Sequence, residues 1–217
     1  MAVEFIAPDL IRINGYFVEI NDRRESDYFD ALNVQCNAEL RETELARPIH
    51  DLEFDLRPSL ALIPNFDPEW AAYQQIPRFL DLAQEAADER AVSHRGFKVG
   101  ASVCAISFKL QRIGYLFGAN LTPYKGAPKR CAEMEVLAKA KDRGFDKIIS
   151  LAVFGPSKFE GVQRFPSPTL HPCDQCRDIL DASSLVTDDT LVVTTNETGV
   201  MEFMTTKELQ ALPRESS

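Results

Sequence analysis

Hydrophobic positions along the chain change period several times, and the changes divide it into candidate elements. Near the N-terminus, Leu10-Ile11-Arg12-Ile13 and Tyr16-Phe17-Val18-Glu19-Ile20 flank Asn14-Gly15, which predicts one or two strands around a tight turn. Asp27 to Leu45 is compatible with a helix, and Pro48, Pro58 and Pro64 then punctuate a mostly irregular stretch. From Pro77 to about Ala91 the apolar residues Phe79, Leu80, Leu82, Ala83, Ala86 and Ala87 recur at helical spacing among acidic ones. That pattern predicts an amphipathic helix with one buried face. Val99 to Phe108 and Gly114 to Ala119 read as the strands of a hairpin, in which Gly100 and Ala101 permit close backbone approach. Beyond them the chain alternates: a helix from Cys131 to Arg143, a buried strand from Ile148 to Phe154, a helix from Cys173 to Ala182 and a strand from Thr190 to Thr195.

Helices alternating with strands favour an α/β fold, here a three-layer α/β/α sandwich with a mixed sheet and helices on both faces. The patterning shifts near residue 66, so residues 1–66 are expected to be an N-terminal extension without assigned chemistry, and residues 67–217 the main domain. With 217 residues, 45% of them hydrophobic, the chain can bury one substantial core.

Charge narrows the partners. A net charge of -9 argues against the clustered cations of a nucleic-acid or anionic-membrane footprint. Lys125, Lys129 and Arg130 form a short basic strip, read as solvated surface rather than a phosphate site. No run approaches the roughly eighteen apolar residues of a membrane span, and Met1-Ala2-Val3-Glu4 does not resemble the start of a signal peptide. A soluble cytoplasmic protein is expected. Five cysteines, three of them at metal-ligand spacing, suit a reducing compartment better than a disulfide framework. Cys36 and Cys104 lie among apolar neighbours and read as core.

The chemistry concentrates in two helix starts. Cys173 and Cys176, in Pro172-Cys173-Asp174-Gln175-Cys176, stand three apart with Pro172 suited to a first-turn position, so both sulfurs can face one point. Alone, that pair is equally compatible with two core cysteines or a redox couple. Cys131-Ala132-Glu133 opens the other helix and supplies a third sulfur at a helix N-terminus, where dipole and free N–H groups favour thiolates. Three protein ligands leave one tetrahedral zinc position open, as in catalytic rather than structural sites. Glu133, in the same first turn, can reach that position without binding the metal.

Cys131-Ala132-Glu133 followed by Pro172-Cys173-x-x-Cys176 resembles the zinc signature of the cytidine deaminase superfamily in its three-cysteine variant. Phe97-Lys98-Val99-Gly100-Ala101 is similar to the family's F-x-V-G-A strand and Gly118-Ala119-Asn120 to its G-x-N segment, so the resemblance spans roughly residues 77–195. It implies zinc on Cys131, Cys173 and Cys176, and proton shuttling by Glu133 during hydrolytic deamination of a cytosine nucleoside or related aminopyrimidine to a uracil-type product and ammonia. It further implies substrate contacts from Phe97, Asn120 and Ala132, a supporting Arg177 that offsets thiolate charge, no organic cofactor, and a homo-oligomer, tetramer or dimer.

The match departs from nucleoside deaminases at two places. Thr122 stands where a sugar-binding glutamate usually follows G-x-N, and Met134 replaces an arginine often found after the catalytic glutamate, leaving Arg130 or Arg177 to compensate. With C-A-E-x-x-V-L over Cys131 to Leu137, the chain is at least as similar to the blasticidin-S deaminase branch. Gly155 to His171 is a long connection that reads equally as a specificity loop or as plain surface variation, and Tyr124, Phe159 and Phe165 are weaker candidates for pocket walls. His171 is not needed as a ligand. The competing readings are a non-catalytic zinc-stabilised module that binds a ligand or partner chain, and a deaminase of a non-nucleoside or nucleic-acid substrate.

Overall fold

In a computed structural model the described residues are 3–7, 10–13, 16–19, 51–55, 73, 76–156 and 167–214. Strands β1 (Val3–Ala7), β2 (Leu10–Ile13) and β3 (Tyr16–Glu19) form an antiparallel sheet, with Ile13 opposite Tyr16. That register bears out two strands on either side of Asn14-Gly15; the turn itself, the helix expected over Asp27 to Leu45, Cys36, Phe159 and Phe165 lie outside the described residues.

The main body is a six-stranded mixed sheet in the order β11 (Met201–Thr205), β10 (Leu191–Thr195), β9 (Lys147–Phe154), β6 (Gly100–Ser107), β7 (Arg112–Ala119) and β4 (Leu52–Asp55). β6 (Gly100–Ser107) and β7 (Arg112–Ala119) are the expected hairpin, and β6 also pairs antiparallel with β9 (Lys147–Phe154). β9 and β10 (Leu191–Thr195) run parallel, joined through helix α3 (Asp174–Ala182). α1 (Ile76–Arg90) covers one face. α2 (Ala132–Asp142), α3 and the short α4 (Thr206–Ala211) cover the other, which completes the three-layer α/β/α sandwich. Among the described residues no helix is long and apolar enough to cross a membrane.

Three elements go beyond the pattern reading. β4 (Leu52–Asp55) lies in the proline-punctuated stretch read as mostly irregular, yet it pairs antiparallel with β7 and extends the sheet from before residue 66. Its alternation covers only four residues, too few to register as a strand. β11 (Met201–Thr205) closes the opposite edge against β10. α4 follows at once, and its signal is local: Thr205 Oγ1 accepts from the Glu208 N–H while the Glu208 carboxylate accepts from the Thr205 N–H, a complete capping box.

Because β6 is central, its side chains alternate between two buried layers. Cys104 and Ile106 join the α1 side with Phe79, Leu82, Ala83 and Tyr115. Ala101, Val103 and Ala105 join the α2/α3 side with Val136, Leu151, Leu180 and Val192. Gly100 sits where α1 comes closest: a Cβ there would stand 1.9 Å from the Ala83 carbonyl oxygen and 2.6 Å from the Ala87 nitrogen. The expectation of close backbone approach at this glycine is met by a helix.

Candidate metal centre

Both cysteine motifs arrive at the site as helix caps. Cys131 is the N-cap of α2 and Cys173 the N-cap of α3; both have extended backbones, and neither side chain bonds its own helix. An N-cap serine or aspartate would turn its oxygen onto the first-turn N–H groups. A cysteine leaves those groups to act as a positive terminus and keeps its sulfur available. The first intrahelical bonds close normally, from the Glu135 N–H to the Cys131 carbonyl and from the Arg177 N–H to the Cys173 carbonyl. Pro172 therefore stands one residue outside the helix, rather than within its first turn as expected.

The sulfurs of Cys131, Cys173 and Cys176 all lie within 4.8 Å of one another. Cys131 Sγ is 3.8 Å from Cys173 Sγ, which is 3.5 Å from Cys176 Sγ. Zn–S bonds of about 2.3 Å at tetrahedral angles put two sulfurs about 3.8 Å apart, so the cluster has the spacing of a zinc ligand set. His171, not needed as a ligand by the sequence reading, is outside this group. Three such sulfurs crowd each other's charge. Contact with Cys173 raises the Cys131 thiol to about 12, whereas Cys131 and then Cys176 hold the Cys173 thiol far below its ordinary value.

Glu133 occupies the second position of α2 and is 5% exposed. Burial pushes its carboxyl up to about 7, its own backbone N–H partly opposing the rise and the charge of Cys173 adding to it. Ala132 beside it is fully buried, in the same apolar cluster as Val99 and Leu170, against which Phe97 packs.

Asn120, for which the resemblance implies a substrate contact, turns its side chain onto the main chain of this cluster. Its Oδ1 accepts from the Val99 N–H at 2.9 Å and its Nδ2 donates to the Phe97 carbonyl at 2.9 Å. The side chain thus staples the F-x-V segment to the end of β7. Thr122 ends the two-residue strand β8 (Leu121–Thr122), parallel to β5 (Val92–Ser93), and its carbonyl accepts from the His94 N–H at 3.0 Å.

The charges near the sulfurs also differ from expectation. Arg177 is 3% exposed and directs its Nη atoms to the carbonyls of Gln210, Leu212 and Pro213, tying α3 to the end of α4. Arg130 is exposed. The cation placed against a sulfur is Lys129, read from the sequence as solvated surface, whose Nζ donates to Cys173 Sγ at 3.6 Å. Burial works against its charge, but Cys173 and Cys131 outweigh that and hold its pKa above the ordinary value. The available signal was proximity alone: a lysine two residues before a capping cysteine. Tyr124 is 63% exposed, and Cys104 is fully buried in the core with its thiol pushed well up by burial.

Residues 73–194, more than half of the chain, match the family described as the cytidine and deoxycytidylate deaminase zinc-binding region. The chain belongs to this family. Its sulfur cluster fits the zinc ion after which the region is named. Solved structures similar to this family member include cytidine deaminases from three bacteria. That from Burkholderia pseudomallei is 22% identical over 61% of this chain and 93% of its own, with a TM-score of 0.48. That from Mycobacterium tuberculosis is 20% identical over 62% and 92%, with a TM-score of 0.43. That from Mycobacterium leprae is 16% identical over 62% and 96%, also at 0.43.

Proposed function

We propose that the protein is a zinc-dependent hydrolase that deaminates a cytosine nucleoside or related aminopyrimidine to the uracil-type product and ammonia. One observation carries the reading: a buried glutamate stands in the first turn of the helix whose cap is one of three convergent sulfurs. A structural zinc site has no use for such a carboxyl, and burying one without a task costs stability.

In this reading Cys131, Cys173 and Cys176 hold the zinc. When bound with one position open, zinc supplies a water whose pKa is lowered towards about 7. Glu133 takes the proton from the attacking water as its oxygen bonds the ring carbon bearing the amine, and delivers it to the adjacent ring nitrogen. Glu133 then carries the remaining hydroxyl proton to the exocyclic amine; the C–N bond breaks, ammonia leaves and the carbonyl forms. Ala132 and Phe97 supply apolar surface for the ring, and Asn120 holds Phe97 in place. The same reading has residues 67–217 as the deaminase domain, with 1–66 as an extension that lends strand β4 to its sheet, and a cytoplasmic homo-oligomer acting on a small molecule.

Ammonia release from zinc-loaded protein mixed with cytidine, deoxycytidine and other aminopyrimidines tests the reaction. Glu133→Gln keeps the shape and removes the proton carrier, so kcat should fall about 10²–10⁴-fold with zinc content unchanged. A parent protein that binds zinc tightly and turns over none of these substrates would instead identify a non-catalytic zinc module.

A further inference from the structure

The family-matched residues end at 194, yet a carboxylate beyond them bonds the segment that leads into Cys173. Residues 167–173 form neither helix nor strand and still deliver Cys173 to within 3.8 Å of Cys131 Sγ. Three side chains along this segment meet one oxygen of Glu202 on β11. Ser167 Oγ donates to Glu202 Oε2 at 2.6 Å, Thr169 Oγ1 donates to the same atom, and His171 Nε2 lies 3.1 Å from it. A bend at Pro168 and Thr169, closed by Ser167 Oγ on the Thr169 main chain, helps bring the three onto one side. Thr169, fully buried, also places its Oγ1 2.6 Å from Thr194 Oγ1, and Thr194 is the cross-strand partner of Glu202. Between these polar contacts Leu170 turns to the apolar layer, so close to Gly155 that a Cβ there would meet its Cδ2 at 2.5 Å.

We propose that Glu202 is a positioning residue for the metal centre: by gathering Ser167, Thr169 and His171 onto one carboxylate, it sets where Cys173 stands. The linkage from His171 to Cys173 is short and stiff, because Pro172 fixes its own φ and restricts the residue before it. Once His171 is anchored, little freedom remains for the cap of α3. The inference rests on the zinc-binding part of the proposed function and not on the identity of the substrate.

Competition with a chelator, alongside thermal denaturation, tests it. Glu202→Ala should lower zinc affinity about 10–100-fold, the usual effect of losing a group that orients metal ligands. Glu202→Gln, which still offers an acceptor oxygen, should recover most of that loss. Phe79→Ala, which opens the core on the opposite face of the sheet without touching residues 167–173, should lower the melting temperature and leave zinc affinity unchanged. Should Glu202→Ala fail to fold, Ser167→Ala leaves the carboxylate in place, removes only the hydroxyl that contacts Glu202, Thr169 and His171, and should weaken zinc in the same direction. Parent-like zinc affinity in the Glu202 and Ser167 variants, or equal zinc loss in Phe79→Ala, would overturn the proposal. A parent protein without stoichiometric zinc would overturn the proposed function along with it.

Discussion

On one face of the six-stranded sheet, α1 lies so close that Gly100 nearly touches its backbone, and the layer between helix and strands is mostly apolar, with the small hydroxyls of Ser102, which donates to the Phe79 carbonyl at 2.6 Å, and of Ser150, opposite Cys104, among its described residues. On the other face the same strands support three shorter helices, and at one end their layer opens into thiols, a buried carboxyl and the cluster around Glu202. The two faces share β6, β7, β9 and β10, so the difference lies in what packs on them. A close-packed apolar layer has one arrangement and resists deformation. The opposite layer can then carry groups that are costly to bury, because the sheet beneath them is fixed from behind. Damage on the α1 face should therefore show as lost stability, and damage around the sulfurs as lost metal or lost turnover.

The largest expected effect is at Gly100. In Gly100→Ala the new methyl would meet the Ala83 carbonyl and the Ala87 nitrogen, both main-chain atoms that cannot rotate away, so α1 must shift as a body. A cost of about 3 kcal/mol or more is expected for such overpacking. For a domain of this size that is a fall of roughly 6–12 °C or more in melting temperature, read by circular dichroism. A variant that melts with the parent would show that the helix is free to retreat and that the α1 face is not the rigid one.

Phe79→Ala comes next. Phe79 is 1% exposed and its ring packs against Tyr115, with centroids 5.1 Å apart. Truncation should cost about 3–5 kcal/mol. The Ser102 hydrogen bond goes to the Phe79 backbone and survives the change. At a temperature where the variant is still folded, kcat/KM per folded molecule should match the parent. A collapse of activity in folded protein would mean that the two faces are coupled through the sheet.

Much of this division was legible in the sequence, and the reasons differ by region. The α1 stripe and the β6–β7 hairpin follow from local periodicity, and the sulfur cluster from two motifs whose chemistry makes sense only together. β4 and β11 were not legible, because each is only four or five residues long; β4 is in addition stabilised by a partner, β7, some sixty residues away, whereas β11 simply folds back on β10. The same limit applied to side chains. Nothing near Glu202 in sequence announces Ser167, 35 residues upstream, and the pairing appears only once β11 lies beside β10. For Asn120 the motif located the residue, whereas the direction of its amide, toward the main chain of Phe97 and Val99, depends on how β7 ends.

Lys129 gives the smallest effect on stability and the sharpest separation of the two faces. Its residue is exposed, so Lys129→Met should change folding stability by no more than about 0.5 kcal/mol. Its Nζ is nevertheless 3.6 Å from Cys173 Sγ, and three thiolates on one dication carry a net charge of about -1 that this ammonium offsets. Removing the cation should therefore speed zinc transfer to a chelator several-fold at low salt, while the melting temperature stays with the parent. Because the pair is in contact with solvent, the gap between Lys129→Met and parent should narrow as ionic strength rises. Lys129→Arg keeps the charge and should behave as the parent. Equal release rates for Lys129→Met and parent at low salt would remove this lysine from the energetics of the metal centre and leave the N-termini of α2 and α3 to offset the sulfurs by themselves.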